Sequence, residues 1–193
     1  MDEPSICPSN GWRLGGFYAV VAYLPSPLSD FVNSLRKELV PGCRLRSHVT
    51  VLPPRKLTAP TDRLVAGFAE QLSGAQPFEV QLSGVELFES TRVAYLSIGE
   101  GRNELLQLHR QLNRAAFAFN EPFPFHPHVT IAQEIGPGEV GAVLEAARRQ
   151  WREFSHPRRF CVETLSFVRN VDPDTWEDLS ECSLRTVSPL QTA

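Results

Sequence analysis

The 193-residue chain is poor in the features that mark membrane proteins, nucleic-acid coats and metal knuckles. No apolar run approaches the roughly 18–20 residues that a helix needs to span a bilayer, so a membrane-spanning helix is not expected. Positive charge is not in excess: 19 Lys and Arg stand against 22 Asp and Glu, a formal net charge of −3. A general nucleic-acid coating protein is usually strongly basic, and that class is set aside. An enzyme that holds one phosphate in a locally positive cleft is not excluded, because a few placed cations suffice there. Cysteine is scarce. Cys7, Cys43, Cys161 and Cys182 are scattered without CxxC spacing, which argues against a zinc knuckle and gives no basis for disulfide pairing. The amino terminus, MDEPSICPSNGW, lacks the charged-then-apolar layout of a secretory leader. A soluble, reducing, cytoplasmic setting is the default, and with no exposed heptad pattern a monomer is expected.

What is present suits a packed core: 42% hydrophobic and 21% charged residues. Phe17–Leu24 is β-rich and ends at Pro25. Leu28, Phe31, Val32, Leu35 and Leu39 recur at helical spacing up to Pro41-Gly42. Arg44–Leu52 reads as a strand closed by Pro53-Pro54, and Leu64, Val65, Phe68 and Leu72 mark a second helix. Strands are expected over Phe78–Phe88 and Arg92–Ile98. The pattern then repeats, with a helix over Asn103–Phe119, a Pro-punctuated loop EPFPFHP, a strand from His128 and a helix carrying Val140, Val143, Leu144, Ala147 and Trp151. Single strands over Arg159–Arg169 and Trp176–Leu184 complete it. Glycines sit singly or in short pairs, and no Gly/Ser-rich linker divides the halves. The expectation is an α+β fold. One bilobal, pseudo-twofold domain spans residues 16–185, between flexible segments 1–15 and 186–193.

Each half carries one His-x-Thr strand: His48-Val49-Thr50-Val51 and His128-Val129-Thr130-Ile131. Residues two apart on a strand share a face. His48 and Thr50 therefore point one way and Val49 and Val51 the other, and His128 and Thr130 stand likewise against Val129 and Ile131. Two such strands at the centre of a bilobal fold would bring two imidazoles and two hydroxyls to one cleft. That set suits phosphoryl transfer. A neutral histidine takes a proton from the nucleophile, a protonated one gives a proton to the leaving oxygen, and threonine hydroxyls hold the non-bridging oxygens. The scheme requires no metal and no cofactor. One His-x-Thr alone is a weak signal; two, each followed by an aliphatic residue and placed alike in repeated halves, are a strong one.

With HVTV at 48–51 and HVTI at 128–131, and with FYAVVAYLP and RVAYLSIG around them, residues 16–170 resemble the two-histidine phosphoesterase superfamily. That group includes the bacterial 2'-5' RNA ligases and RNA 2',3'-cyclic phosphodiesterases. The resemblance implies a duplicated fold with antiparallel sheets, the two motif strands lining a central cleft and helices on the outer faces. It implies His48 and His128 as an acid–base pair, in either order, and Thr50 and Thr130 as phosphate holders. The implied reaction opens a 2',3'-cyclic phosphate at an RNA end or on a small nucleotide, with RNA ligation as a reverse reaction in some relatives.

Further residues are candidates for the cleft, each with an ordinary alternative. Arg46 and His126 stand two before the motif histidines; Arg46 could neutralise phosphate or be a solvated arginine, and Pro127 could rotate His126 away. Arg55, after Pro53-Pro54, is expected on a loop that flanks the cleft or on plain surface, and Tyr95 borders the site or packs. His109 is expected at the edge of a helix stripe and His156 in a loop. Phe123 and Phe125 could stack a base but more simply anchor the loop. Two rival functions are a nucleotide- or RNA-binding module without turnover and a zinc hydrolase, the latter lacking HExxH spacing.

Overall fold

The computed structural model describes residues 16–172 and 175–185, so the segments 1–15 and 186–193 lie outside the described residues. The chain runs β1 (Phe17–Tyr23), α1 (Leu28–Leu39), β2 (His48–Lys56), α2 (Thr61–Gln71), β3 (Phe78–Phe88), β4 (Val93–Ile98) and α3 (Arg102–Leu112). It continues through a 3-10 turn at Ala115–Phe117 to β5 (His128–Ala132), α4 (Val140–Glu153), β6 (Arg159–Val162), β7 (Thr164–Asp172) and β8 (Thr175–Ser183). Two four-stranded sheets result, in the orders β2-β1-β7-β8 and β5-β4-β3-β6, and every pairing is antiparallel.

The two orders correspond strand for strand, which is the pseudo-twofold. In each sheet the His-x-Thr strand is at one edge, and β2 and β5 lie side by side. Registers match as well: His48 pairs with Tyr23 and Thr50 with Val21, as His128 pairs with Ser97 and Thr130 with Tyr95. The lobes are not the sequence halves, however. The first sheet takes its other two strands, β7 and β8, from the end of the chain, and β3 and β4 join the second. Helices cross the seam too: α1 packs on β5 and α3 on β2, while α4 covers β3 and α2 covers β8. The main core contains Val49, Val51, Val129 and Ile131 together with Leu35, Phe68, Leu105 and Trp151, and a smaller cluster of Ala19, Val21 and Val168 stands apart from it.

Three expected boundaries move, each for a physical reason. The strand assigned to Arg44–Leu52 begins instead at His48 and runs through both prolines to Lys56. A proline donates no ladder bond and is tolerated on an edge strand; Pro53-Pro54 fall where the β1–β2 register slips, between the Leu52–Val20 and Arg55–Tyr18 pairs. The helix expected to reach Phe119 stops at Leu112. Asn113 turns the chain, its side-chain oxygen accepting the Phe119 N–H at 2.9 Å. The run Arg159–Arg169 is two strands, because the chain leaves one sheet for the other at Glu163: β6 pairs with β3, and β7 with β1 and β8. Cys43, Cys161 and Cys182 are free thiols, and Cys7 lies outside the described residues. Among the described residues no helix is long and apolar enough to cross a membrane.

Candidate active site

Burial along the two motif strands alternates in step. Val49, Val51 and Val129 are fully buried and Ile131 nearly so, while His48, Thr50, His128 and Thr130 are half-buried on the opposite face. β2 and β5 lie side by side, and the two motif histidines are close enough for His128 to act electrostatically on His48.

Both imidazoles are fixed in the same way. His48 Nδ1 lies 2.7 Å from the Arg46 carbonyl oxygen, and His128 Nδ1 lies 2.7 Å from that of His126. A carbonyl only accepts, so Nδ1 carries the proton and Nε2 is the basic atom. The candidate residues two before each histidine thus contribute their backbones. Their side chains do other things. The Arg46 guanidinium lies over the Tyr23 ring at 3.6 Å and donates to Asp178 at 3.0 Å. The His126 ring stands edge-on to Phe88 (5.3 Å) and Tyr95 (5.7 Å), beside His128 at 6.4 Å.

A tyrosine–carboxylate pair borders each histidine. Tyr23, cross-strand to His48, donates its hydroxyl to Asp178 at 2.5 Å. Tyr95 donates to Glu86 at 3.0 Å, stacks on Phe88 at 4.1 Å and lies 5.3 Å from the His128 ring. Tyr95 therefore both packs and borders the cleft. Burial first, and then the carboxylate, push both hydroxyls up, Tyr95 to about 12 and Tyr23 further, so neither is a proton donor or acceptor near neutrality.

Burial also pulls both motif imidazoles below the usual histidine value. His48 is lowered to about 4, by burial first and then by the charge of Arg36, with smaller contributions from His128 and Arg46; its bond to the Arg46 carbonyl works the other way. His128 is lowered by burial, and then by His126 and Arg36. Both rings are consequently neutral in the free enzyme at neutral pH. An arriving phosphate anion favours imidazolium and raises both.

Arg55 does not stand where the two prolines before it suggest. Expected on a loop or the surface, it is in β2 and 1% exposed. It donates to Glu121 at 2.5 Å, Asn113 at 2.7 Å, and the carbonyls of Phe117 (2.9 Å) and Pro53 (3.0 Å). It belongs to the scaffold that holds the loop before β5. His109 is part of the same scaffold, its Nδ1 against the Val51 carbonyl at 2.8 Å and its ring stacked on Phe125 at 4.0 Å. Phe125 anchors the loop in that way, whereas Phe123 is exposed and His156 lies against Phe154. Sequence reasoning missed Tyr23, Asp178, Glu86, Phe88 and Arg36. Only Arg36 carried a signal: Leu28, Val32 and Arg36 stand at successive four-residue steps, a cation in the apolar row of a helix.

Comparison with known proteins speaks to the fold and the family. Residues 24–174 match the family model described as the 2'-5' RNA ligase superfamily. A protein named "Putative phosphoesterase" from Halalkalibacterium halodurans is 27% identical over 162 residues, covering 82% of this chain and 92% of the relative. One of the same name from Geobacillus kaustophilus is 28% identical over 168 residues, covering 82% and 91%. The crystal structure of E. coli LigT superposes with a TM-score of 0.61 at 16% identity, over 89% of this chain and 99% of LigT; LigT has also been crystallised with 3'-AMP. The TT0787 protein of Thermus thermophilus gives 0.60 at 18% identity, over 89% and 100%. At such identities the structures speak for the fold, and the family match speaks for kinship: this chain belongs to the 2'-5' RNA ligase superfamily, the two-histidine phosphoesterases that its paired motifs resemble.

Proposed function

We propose that the protein hydrolyses 2',3'-cyclic phosphates, at RNA ends or on small nucleotides, with His48 and His128 as the acid–base pair. The observation that supports this reading is the repeated Nδ1-to-carbonyl bond, which leaves Nε2 as the basic atom of both imidazoles on two neighbouring strands. One neutral imidazole removes a proton from water as its oxygen attacks phosphorus. The other, protonated, delivers a proton to the departing ribose oxygen, and the product is a phosphomonoester. Thr50 and Thr130 donate to the non-bridging oxygens as charge builds on them. The names of the relatives and the 3'-AMP bound by LigT support a phosphate-ester substrate. Ligation, in which a 5'-hydroxyl takes the place of water in attacking the cyclic phosphate and the ribose oxygen leaves, needs the same two proton transfers.

The test is incubation of the purified protein with 2',3'-cyclic mononucleotides and with a cyclic-phosphate-ended oligonucleotide, with and without EDTA. Turnover that survives chelation is expected. Loss of all turnover with EDTA would sink the metal-free mechanism, and tight binding without turnover would leave a nucleotide-binding module.

The imidazole environments also set a pH dependence. kcat/KM reports the free enzyme and kcat the substrate complex. Both histidines are lowered in the free enzyme, and a bound anion raises them. The kcat/KM bell should therefore lie on the acid side of the kcat bell. Initial rates from about pH 4 to 9, a range wide enough to bracket histidine titration, check this. Superimposable profiles would contradict it.

A further inference from the structure

Helix α1 sends one cation into the core beneath the cleft. Arg36 is 4% exposed, although arginine is almost never fully buried unless paired. Among the described residues no carboxylate forms an ion pair with it. Its Nη1 donates instead to the carbonyls of Leu45 at 3.4 Å and Arg46 at 3.2 Å. One turn earlier, Asn33 accepts the Ser47 N–H at 2.9 Å. Helix α1 thus holds three consecutive residues, Leu45 to Ser47, that lead into His48. The Arg46 carbonyl is also the one that accepts from His48 Nδ1, so guanidinium and imidazole share a single oxygen. Because α1 packs on β5, the same helix backs the strand that carries His128.

We propose that Arg36 is a positioning residue of this site: it locks the carbonyl that fixes the His48 ring and supplies a fixed positive charge beneath the cleft, whose counter-charge is the phosphate of the substrate. A guanidinium suits this task and an ammonium does not, because a buried lysine readily gives up its proton while arginine keeps its own. The other titratable and charged groups around the site begin with Cys43, on the turn after α1, which acts on the Arg36 guanidinium. On the His48 side, Asp178 is held by Arg46 and Tyr23, with Glu181 further along β8. On the His128 side, Glu86 is held by Tyr95, and Arg102 acts on His126. Among the described residues, Arg36 is the one cation whose charge lowers both motif histidines. A buried charge without a carboxylate is costly to the fold, and an anion in the groove offsets that cost only when substrate is present.

The catalytic consequence rests on the acid–base reading above, but the test separates the two. Arg36→Gln removes the charge and keeps an N–H donor for the two carbonyls. Histidine ring titrations by NMR and binding of inorganic phosphate are measured on the full chain, with thermal melts as the folding control. Loss of a cation favours imidazolium, so both rings should titrate at higher pH than in the wild type. Phosphate should bind about tenfold more weakly or worse, and kcat/KM should fall about 10–100-fold, the scale of a misplaced reacting group. Arg36→Lys should recover phosphate binding on the acid side, where the ammonium is charged. A folded Arg36→Gln with wild-type titrations and phosphate affinity within twofold overturns the proposal. If the variant does not fold, the wild-type protein decides: the Arg36 guanidinium resonance should move on adding phosphate, and a resonance that stays in place overturns it. Wild-type protein that binds no phosphate and turns over no cyclic ester refutes the functional reading, while the ring titrations still decide whether Arg36 sets the two imidazoles.

Discussion

His48→Ala and His128→Ala should each lower kcat/KM on a 2',3'-cyclic nucleotide by roughly 10²–10⁴-fold, the reach of one acid–base group. The two should be far from additive. Once either proton transfer is lost, the remaining imidazole works alone, so the double variant should resemble the worse single one. Folding should survive, because each ring is half-buried and its only polar tie within the described residues is to a carbonyl two residues back. A hydrogen bond of that kind contributes about 1 kcal/mol net. His156→Ala, in a loop against Phe154, is the control and should stay within about twofold. Steady-state kinetics on the four proteins, with melts to exclude unfolding, decide the matter. If neither motif variant slows hydrolysis, the assignment of the acid–base pair is wrong.

The parts of this site that were legible in sequence are those governed by local periodicity. Val-Thr-Val and Val-Thr-Ile after a histidine announce which side chains face the core, and alternation carries the four polar groups to one face without knowledge of the partner strand. The two sheets and the outer helices follow from the repeated order of elements. What local pattern could not carry is the long-range exchange. Uniform β-propensity across Arg159–Arg169 holds no mark of the sheet change at Glu163. The tyrosines show the same limit. Tyr23 acquires its role from Asp178, 155 residues away in sequence. Tyr95 is cross-strand to Thr130, a matter of register between strands from different halves. Arg55 failed for another reason: two prolines before it read as the end of a strand, although an edge strand accommodates them.

That buried arginine leads to the largest expected effect on stability. Arg55→Met should cost about 3–5 kcal/mol, the range found when one partner of a buried ion pair is removed. The side chains of Arg55 and Glu121 are 1% and 12% exposed, so water cannot replace the lost partner. Asn113 and the Phe117 carbonyl lose a donor at the same time. For a chain of this size each kcal/mol shifts the melting temperature by about 2–4 °C, so the variant should melt roughly 6–20 °C lower. Arg55→Met combined with Glu121→Leu should recover much of that loss, since the isolated carboxylate is then gone as well. The pair joins β2 to the segment leading into β5, and Glu121 also lies 3.5 Å from His109 Nε2. Loosening it frees one His-x-Thr strand relative to the other, so activity should fall well below the melting temperature, not only at it. Denaturant melts of the two single variants and the double, with rates measured at a temperature where all are folded, test both halves of the argument. An Arg55→Met protein within about 1 kcal/mol of wild type, the net contribution of an ordinary hydrogen bond, would mean that this buried pair does not hold the two motif strands together.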